Sequence, residues 1–372
     1  MRTSLIAKAA MGLIVAALVL LAAEGLLRLV AGPPPPPIKV YRVTGDVDQY
    51  FDIEESSVST TFQQTPPVES FPREPEGRRV VVLGGSSVHE AMTRARSERE
   101  WPARVGVLLD AEVLNLGEPG LDSFDHVLIV EELARIGVDG VVLYAGHNDL
   151  GNALMRDRYG SMWGGVSAVL LSGLEHSQLF CQLRRALDTP EGDGMGGPGS
   201  PMGDGGGKGL APQRRAVASR YFRANVERIA WMLAERQIPL VVVVPTGDLF
   251  AAPPPGHCDP VLGCAYEIWS EAQPLLGEHP ERAASLLRQA RDADLMGLRA
   301  TSDIQDFLRD LDGRPGVTVV DPERELPQST QAAVPDSTLF VDPMHLSRKG
   351  HSALAAIVAP AVAEVTGIPL RQ

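Results

Sequence analysis

The chain has 372 residues, of which 44% are hydrophobic and 22% charged, enough apolar side chain for one large globular domain or two small ones, so disorder is excluded as its overall state. A net charge of −13 has the wrong sign for a protein whose main partner is the backbone of a nucleic acid. The only cysteines are Cys181, Cys258 and Cys264, too few for a disulfide scaffold or for a tetrahedral cysteine zinc site within the chain.

At the N-terminus Arg2 and Lys8 precede an apolar stretch from Ala9 to Ala23, which resumes from Gly25 to Val30 around Glu24 and Arg28. That is about the 20 residues a helix needs to cross hydrocarbon. The basic start keeps the N-terminus cytoplasmic and sends the remaining chain across. The expectation is a single-pass membrane anchor in segment 1–32, with residues 5–30 in the membrane and the bulk of the protein periplasmic or extracellular. The alternative is a cleaved signal peptide and a secreted product. The anchor is favoured by its length, by Glu24 and Arg28 standing one helical turn apart, and by Pro33, which spoils cleavage after Gly32. The five prolines Pro33 to Pro37 can only form a stiff polyproline II rod. From Tyr41 to Arg78, proline-broken and polar, the chain reads as an extended strap over the domain, so 33–77 is spacer and strap.

The remainder, 78–372, alternates strand and helix patterns. Five β-branched runs, Arg79 to Leu83, Glu112 to Leu116, Gly140 to Tyr144, Leu240 to Val244 and Val317 to Val320, lack alternation and suit parallel strands buried on both faces. Between them, Tyr221 to Arg236 places Phe222, Val226, Ile229, Ala230 and Leu233 on one helical face. A last helix is predicted from an N-cap at Ser347 through Ala353 to Val365, with a kink at Pro360. The order predicts an α/β fold: a three-layer α/β/α sandwich with a five-stranded parallel, doubly wound (flavodoxin-like) sheet, beside the N-terminal transmembrane helix and a helical insertion over 251–312. Segment 188–212, rich in glycine, is too poor in apolar side chains to offset the entropy of ordering and reads as a disordered loop.

Ligands of such sheets bind at the carboxyl ends of the strands, and four short motifs fall there. After the first strand, Gly84-Gly85-Ser86-Ser87-Val88-His89 is a tight turn that presents hydroxyls, either a nucleophile or a turn and helix cap. After the second, Asn115-Leu116-Gly117-Glu118-Pro119-Gly120 lets the backbone approach a ligand and point an amide at it. After the third, Gly146-His147-Asn148-Asp149 offers a side-chain amide. Near the end, Asp342-Pro343-Met344-His345 spaces a carboxylate to hold Nδ1 of an imidazole and leave Nε2 as a base. As a metal half-site this pair lacks accompanying His or Cys ligands, so neither metal nor cofactor is expected.

In this order the four motifs resemble the blocks of the SGNH/GDSL hydrolase (esterase/lipase-like) superfamily, here in a membrane-anchored bacterial form, over roughly Arg78 to Val365. The resemblance implies Ser86 as nucleophile, His345 as base and Asp342 as its orienter, with the Ser86 and Gly120 amides and the Asn148 side chain as oxyanion hole. The family's Gly-Asp-Ser is Gly-Gly-Ser here, which leaves Ser87 as a rival nucleophile. The activity implied is a serine esterase or acyl hydrolase of the cell envelope whose partner is an ester-bearing small molecule, glycan or lipid. The alternatives are an O-acyltransferase with the same residues, a non-catalytic envelope binding or assembly protein, and a metal hydrolase using Asp342 and His345.

Specificity is expected in the insertion. Export to an oxidising compartment favours a Cys258 to Cys264 disulfide and leaves Cys181 unpaired. Trp269 to Arg309 reads as a helical hairpin or cap, with Arg288, Arg291 and Arg299 as anion binders or, in the plainer reading, parts of a solvated helix face.

Overall fold

The computed structural model describes residues 15, 19–30, 50–61, 70–89, 100–133, 135–155, 179, 212–253, 255, 258–296 and 299–371. The chain divides into two units, residues 1–40 with 158–205 and residues 41–157 with 206–372.

In the first unit residues 15 and 19–30 are helical. Arg28 Nε donates to Glu24 Oε1 at 2.6 Å, the pairing expected one turn apart, and Glu24 Oε2 accepts from the Leu179 amide at 2.9 Å. Among the described residues no helix is long and apolar enough to cross a membrane. Most of the expected anchor before residue 19, the proline run, Cys181 and the glycine-rich loop up to residue 211 lie outside the described residues.

The second unit holds the α/β fold. The expected strap enters it as three short antiparallel strands, β1 (Phe51–Ile53), β2 (Ser57–Thr60) and β3 (Ser70–Pro72). Tyr50, Phe51, Val58 and Phe71 are buried in the main core, so this segment is docked by apolar side chains that its polar composition concealed. Glu132 accepts from the amides of Tyr50 and Phe51 at 2.8 and 3.2 Å.

Then follow β4 (Arg79–Gly84), helix α1 (Trp101–Leu109), β5 (Glu112–Asn115), α2 (Ser123–Leu133), β6 (Gly140–Tyr144), α3 (His147–Met155), α4 (Pro212–Glu235) and β7 (Leu240–Val243). A hairpin of β8 (Cys258–Asp259) and β9 (Gly263–Cys264) leads into α5 (Ala265–Ala272), α6 (Pro280–Ala293) and α7 (Ser302–Arg309). The chain closes with β10 (Val317–Val320), α8 (Pro322–Glu325) and α9 (Arg348–Thr366). The five expected strands form one parallel sheet in the order β10-β7-β6-β4-β5. The direction of winding reverses between β4 and β6, which opens a crevice at their carboxyl ends.

Both faces of the sheet are covered, which is why the strands read as unbroken apolar runs. Val81, Leu83, Val141 and Leu143 point to the layer of α2 and α4, where Phe222, Val226, Ile229 and Leu233 are buried. Val80, Val82, Val142 and Val243 point to the layer of α1 and α9. The last helix starts as predicted: the Ser347 hydroxyl caps it by accepting from the Gly350 amide at 3.2 Å. Gly367 ends it in the left-handed conformation, φ 69°.

Ala272, Ala283, Ala284 and Leu287 of the insertion form a small separate core with Leu249 and Val334 from either side of it in the chain. Cys258 and Cys264 face each other across β8 and β9 and are joined by a disulfide. For the three arginines neither sequence reading holds. Arg288 and Arg291 both reach Glu323, with bonds of 2.6 and 3.1 Å, and Arg291 also donates to Gln305 and Ser302. Arg299 donates to the Asp248 carbonyl at 3.0 Å and lies 3.5 Å from Asp294. Arg291 and Arg299 are buried, and their charge is consumed inside the protein, because a buried guanidinium must find acceptors there.

Candidate active site

The four motifs converge at the carboxyl end of the sheet. β4 runs into Gly85 and a 3-10 turn, Ser86–Val88, that leaves Ser86 half-buried while Ser87 stays 3% exposed. Of the two neighbouring hydroxyls, the one against His345 is that of Ser86, whose Oγ is 2.8 Å from Nε2. On the other side of the ring, Nδ1 is 2.6 Å from Asp342 Oδ2.

Asp342 is itself fixed. Its Oδ1 accepts from the amides of Met344 and His345 at 2.9 and 2.8 Å, a turn that the short spacing of the motif makes possible. Partial burial pushes this carboxyl up, but the Met344 and His345 amides and the His345 ring outweigh it and hold it below its ordinary value. The loop is closed by a bridge between Phe340 and Leu346, so the imidazole hangs from a short, tied segment at the start of α9. Asp342, His345 and Ser86 form one hydrogen-bonded chain.

The second motif is a type II turn. Leu121 N donates to Glu118 O at 3.1 Å, Pro119 takes the first central position and Gly120 the second, with φ 85°, which glycine adopts without strain. Side chains of α3 hold this turn from above. Asn148 Nδ2 donates to Leu121 O at 2.7 Å, and Asn152, one helical turn on, donates to Gly120 O at 2.9 Å and Asp122 at 2.8 Å. Asp149 accepts from the Ser123 amide at 3.0 Å, at the start of α2.

Asn148 also lies over the nucleophile turn. A Cβ at position 85 would fall on its Nδ2, with its Cγ and Leu121 O each at 3.3 Å. Gly85 is thus the residue that makes room for the amide. One N–H of Asn148 is spent on Leu121, and a side-chain amide nitrogen carries a second.

The sequence reading assigned no role to several residues around this centre. His147 is buried, and its Nδ1 accepts from the Ala300 amide at 3.3 Å. Burial, together with the charges of His345, Arg291 and Arg299, lowers its pKa to about 3 against the opposing pull of the Thr246 carbonyl. It is therefore a neutral side chain whose Nδ1 ties α3 to the insertion. Asp248, after β7, donates its amide to Pro343 O at 3.0 Å. Burial raises its carboxyl above the usual range, against the Phe250 amide and Arg299. Asn152 carries a signal in its spacing, since i+4 from Asn148 shares a helical face. Among the described residues no group of three or more His, Cys, Asp or Glu side chains could hold a metal ion.

No protein-family model matches the chain, and no curated protein does. Solved structures do. A member of the lipolytic protein G-D-S-L family from Veillonella parvula is 11% identical over 76% of this chain and 97% of its own, with a TM-score of 0.38. An extracellular lipase from Streptomyces rimosus is 13% identical over 78% and 100%, with a TM-score of 0.39. A family two carbohydrate esterase from Clostridium thermocellum is 11% identical over 82% and 68%, with a TM-score of 0.37. Likeness at this level assigns neither activity nor substrate.

Proposed function

We propose that this protein is a serine esterase or acyl hydrolase, and the reading rests on the continuous chain from Asp342 through His345 to the half-buried Ser86. Ser86 Oγ attacks the ester carbonyl carbon as its proton passes to His345 Nε2. The oxyanion is received by the Ser86 and Gly120 amides and the second N–H of Asn148, donors that need no reorganisation. As the C–O bond breaks, His345 returns the proton to the departing alcohol. Water then attacks the acyl-enzyme with His345 again as base, and the carboxylic acid leaves. A sugar hydroxyl in place of water makes the same site an acyltransferase.

The substrate class we propose is an O-acylated glycan or a lipid ester of the cell envelope. The protein would reach it from a single-pass anchor, with the catalytic unit on the periplasmic or extracellular side. The basic start and the apolar stretch in the sequence support that topology.

The test is to treat the full chain in detergent with a fluorophosphonate probe and with short-chain aryl esters. A label on Ser86 that is lost in Ser86→Ala, together with loss of ester turnover, supports the reading. A folded protein that takes no label, a label on Ser87, or turnover that needs added metal would overturn it.

A further inference from the structure

Behind the proposed oxyanion hole lies a second histidine and carboxylate pair that the reaction itself does not use. His89 follows the nucleophile turn and closes it, its amide donating to Ser86 O at 3.0 Å. Its ring Nε2 is 3.0 Å from Gly117 O and its Nδ1 is 3.2 Å from Glu100 Oε1. Glu100 Oε2 accepts from Asn115 Nδ2 at 3.2 Å, and Asn115 Oδ1 accepts from the Gly117 amide at 3.0 Å. The four residues close a ring of hydrogen bonds in which both the N–H and the C=O of Gly117 are held by side chains. His89, Glu100 and Asn115 are all buried.

Gly117 is fixed sterically as well. A Cβ there would fall on the Val88 side chain, with Asn115 Oδ1 at 3.1 Å and Gly84 O at 3.3 Å. The next amide, that of Glu118, donates to Gly84 O at 3.3 Å and opens the type II turn that carries Gly120. A carbonyl can only accept, so it is Nε2 that donates to Gly117 O, while Nδ1 faces Glu100. Buried hydrogen-bond networks of this kind confine the backbone they bind.

We propose that His89 and Glu100 are positioning residues: they lock Gly117, and through it the Gly120 amide, at a fixed offset from Ser86. The inference rests on the esterase reading above, because an oxyanion donor is useful only when it is preorganised where the charge develops. The histidine does no proton transfer with substrate, since both of its ring nitrogens are occupied inside the protein.

The experiment measures two quantities on the full chain in detergent: steady-state turnover, and amide hydrogen exchange at residues 117–121. His89→Ala and Glu100→Ala should each lower kcat about tenfold or more with KM unchanged, the signature of a group that serves only the transition state. Exchange at 117–121 should rise in both while α4 and α9 keep their protection. Glu100→Gln should restore both readouts, because it keeps the shape of the side chain, an oxygen to accept from Asn115 and a polar group facing His89 Nδ1. Unchanged exchange at 117–121 in both alanine variants would overturn the proposal. So would local loosening with an unchanged kcat, or a loss of protection spread over the whole unit. If the wild type neither hydrolyses esters nor takes the fluorophosphonate, the esterase reading fails, while faster exchange confined to 117–121 still supports the clamp.

Discussion

Gly85→Ala tests the geometry of the oxyanion hole without touching a proposed catalytic side chain. The backbone at 85 has φ −96°, outside the left-handed region, so the effect of the methyl is one of space. That methyl would occupy the position of Asn148 Nδ2. Asn148 must then swing off the site, giving up the donor it presents while it bonds to Leu121 O. Loss of one such donor costs about a hundredfold in kcat, or roughly 2.7 kcal/mol, with little change in KM. Asn148→Ala should have the same effect by direct removal. The decisive measurement is the double variant: once Asn148 is truncated, the two atoms of its amide nearest the new methyl are gone, and Leu121 O stands at 3.3 Å. The pair should therefore lose about a hundredfold together, and independent losses would give about ten-thousandfold. Steady-state ester hydrolysis on the four proteins closes the cycle. Additive losses would mean that Gly85→Ala acts through Ser86, and an unaltered kcat in Gly85→Ala would remove Asn148 from the site.

Three further outcomes are expected. His345→Ala should abolish most turnover and Asp342→Asn should remove less, since Asp342 orients the ring and stabilises its charged form; equal and trivial effects in an active enzyme would refute the dyad. Glu323, although burial pushes it up, is pulled down to about 2 by Arg291, Arg288 and Gln305. A depressed carboxyl stabilises the fold above its unfolded pKa of about 4.5 and loses that contribution as pH falls toward 2. Glu323→Gln should accordingly cost on the order of 3 kcal/mol at pH 7, with the gap to wild type shrinking by pH 3 in thermal melts; a gap independent of pH would refute the network. For topology, a C-terminal reporter that works only outside the cytoplasm should give signal, and the protein should stay in the membrane fraction after an alkaline wash. A soluble mature form beginning near Pro33 would refute the anchor and keep the export.

Much of the architecture is legible locally because its causes are local. Runs such as Leu240 to Val243 are apolar on successive residues, and only a strand covered on both faces needs that, so the parallel sheet and its helical layers follow from the chain alone. Ser347 as a cap and the type II turn at Pro119-Gly120 are likewise written in two or three residues. The residue types of the site are legible too, since each of the four motifs ends a strand.

What no short stretch of sequence holds is which atoms meet. Whether Ser86 or Ser87 serves His345 depends on how the 3-10 turn brings one hydroxyl to the ring and buries the other. Arg291 and Arg299 stand at spacings that suit a solvated helix, yet lie inside because Glu323 and the Asp248 carbonyl arrive from elsewhere in the chain, beside the nearby Asp294, to accept from them or balance their charge. The strap conceals its docking for a similar reason: its few apolar side chains are dispersed, and only the antiparallel pairing of β1, β2 and β3 gathers them on one face. His89, Glu100, Asn115 and Gly117 come from three segments and carry no shared motif. Their ring closes only when β4 and β5 lie side by side, because hydrogen-bond geometry is a property of positions in space, and the chain brings those positions together by folding.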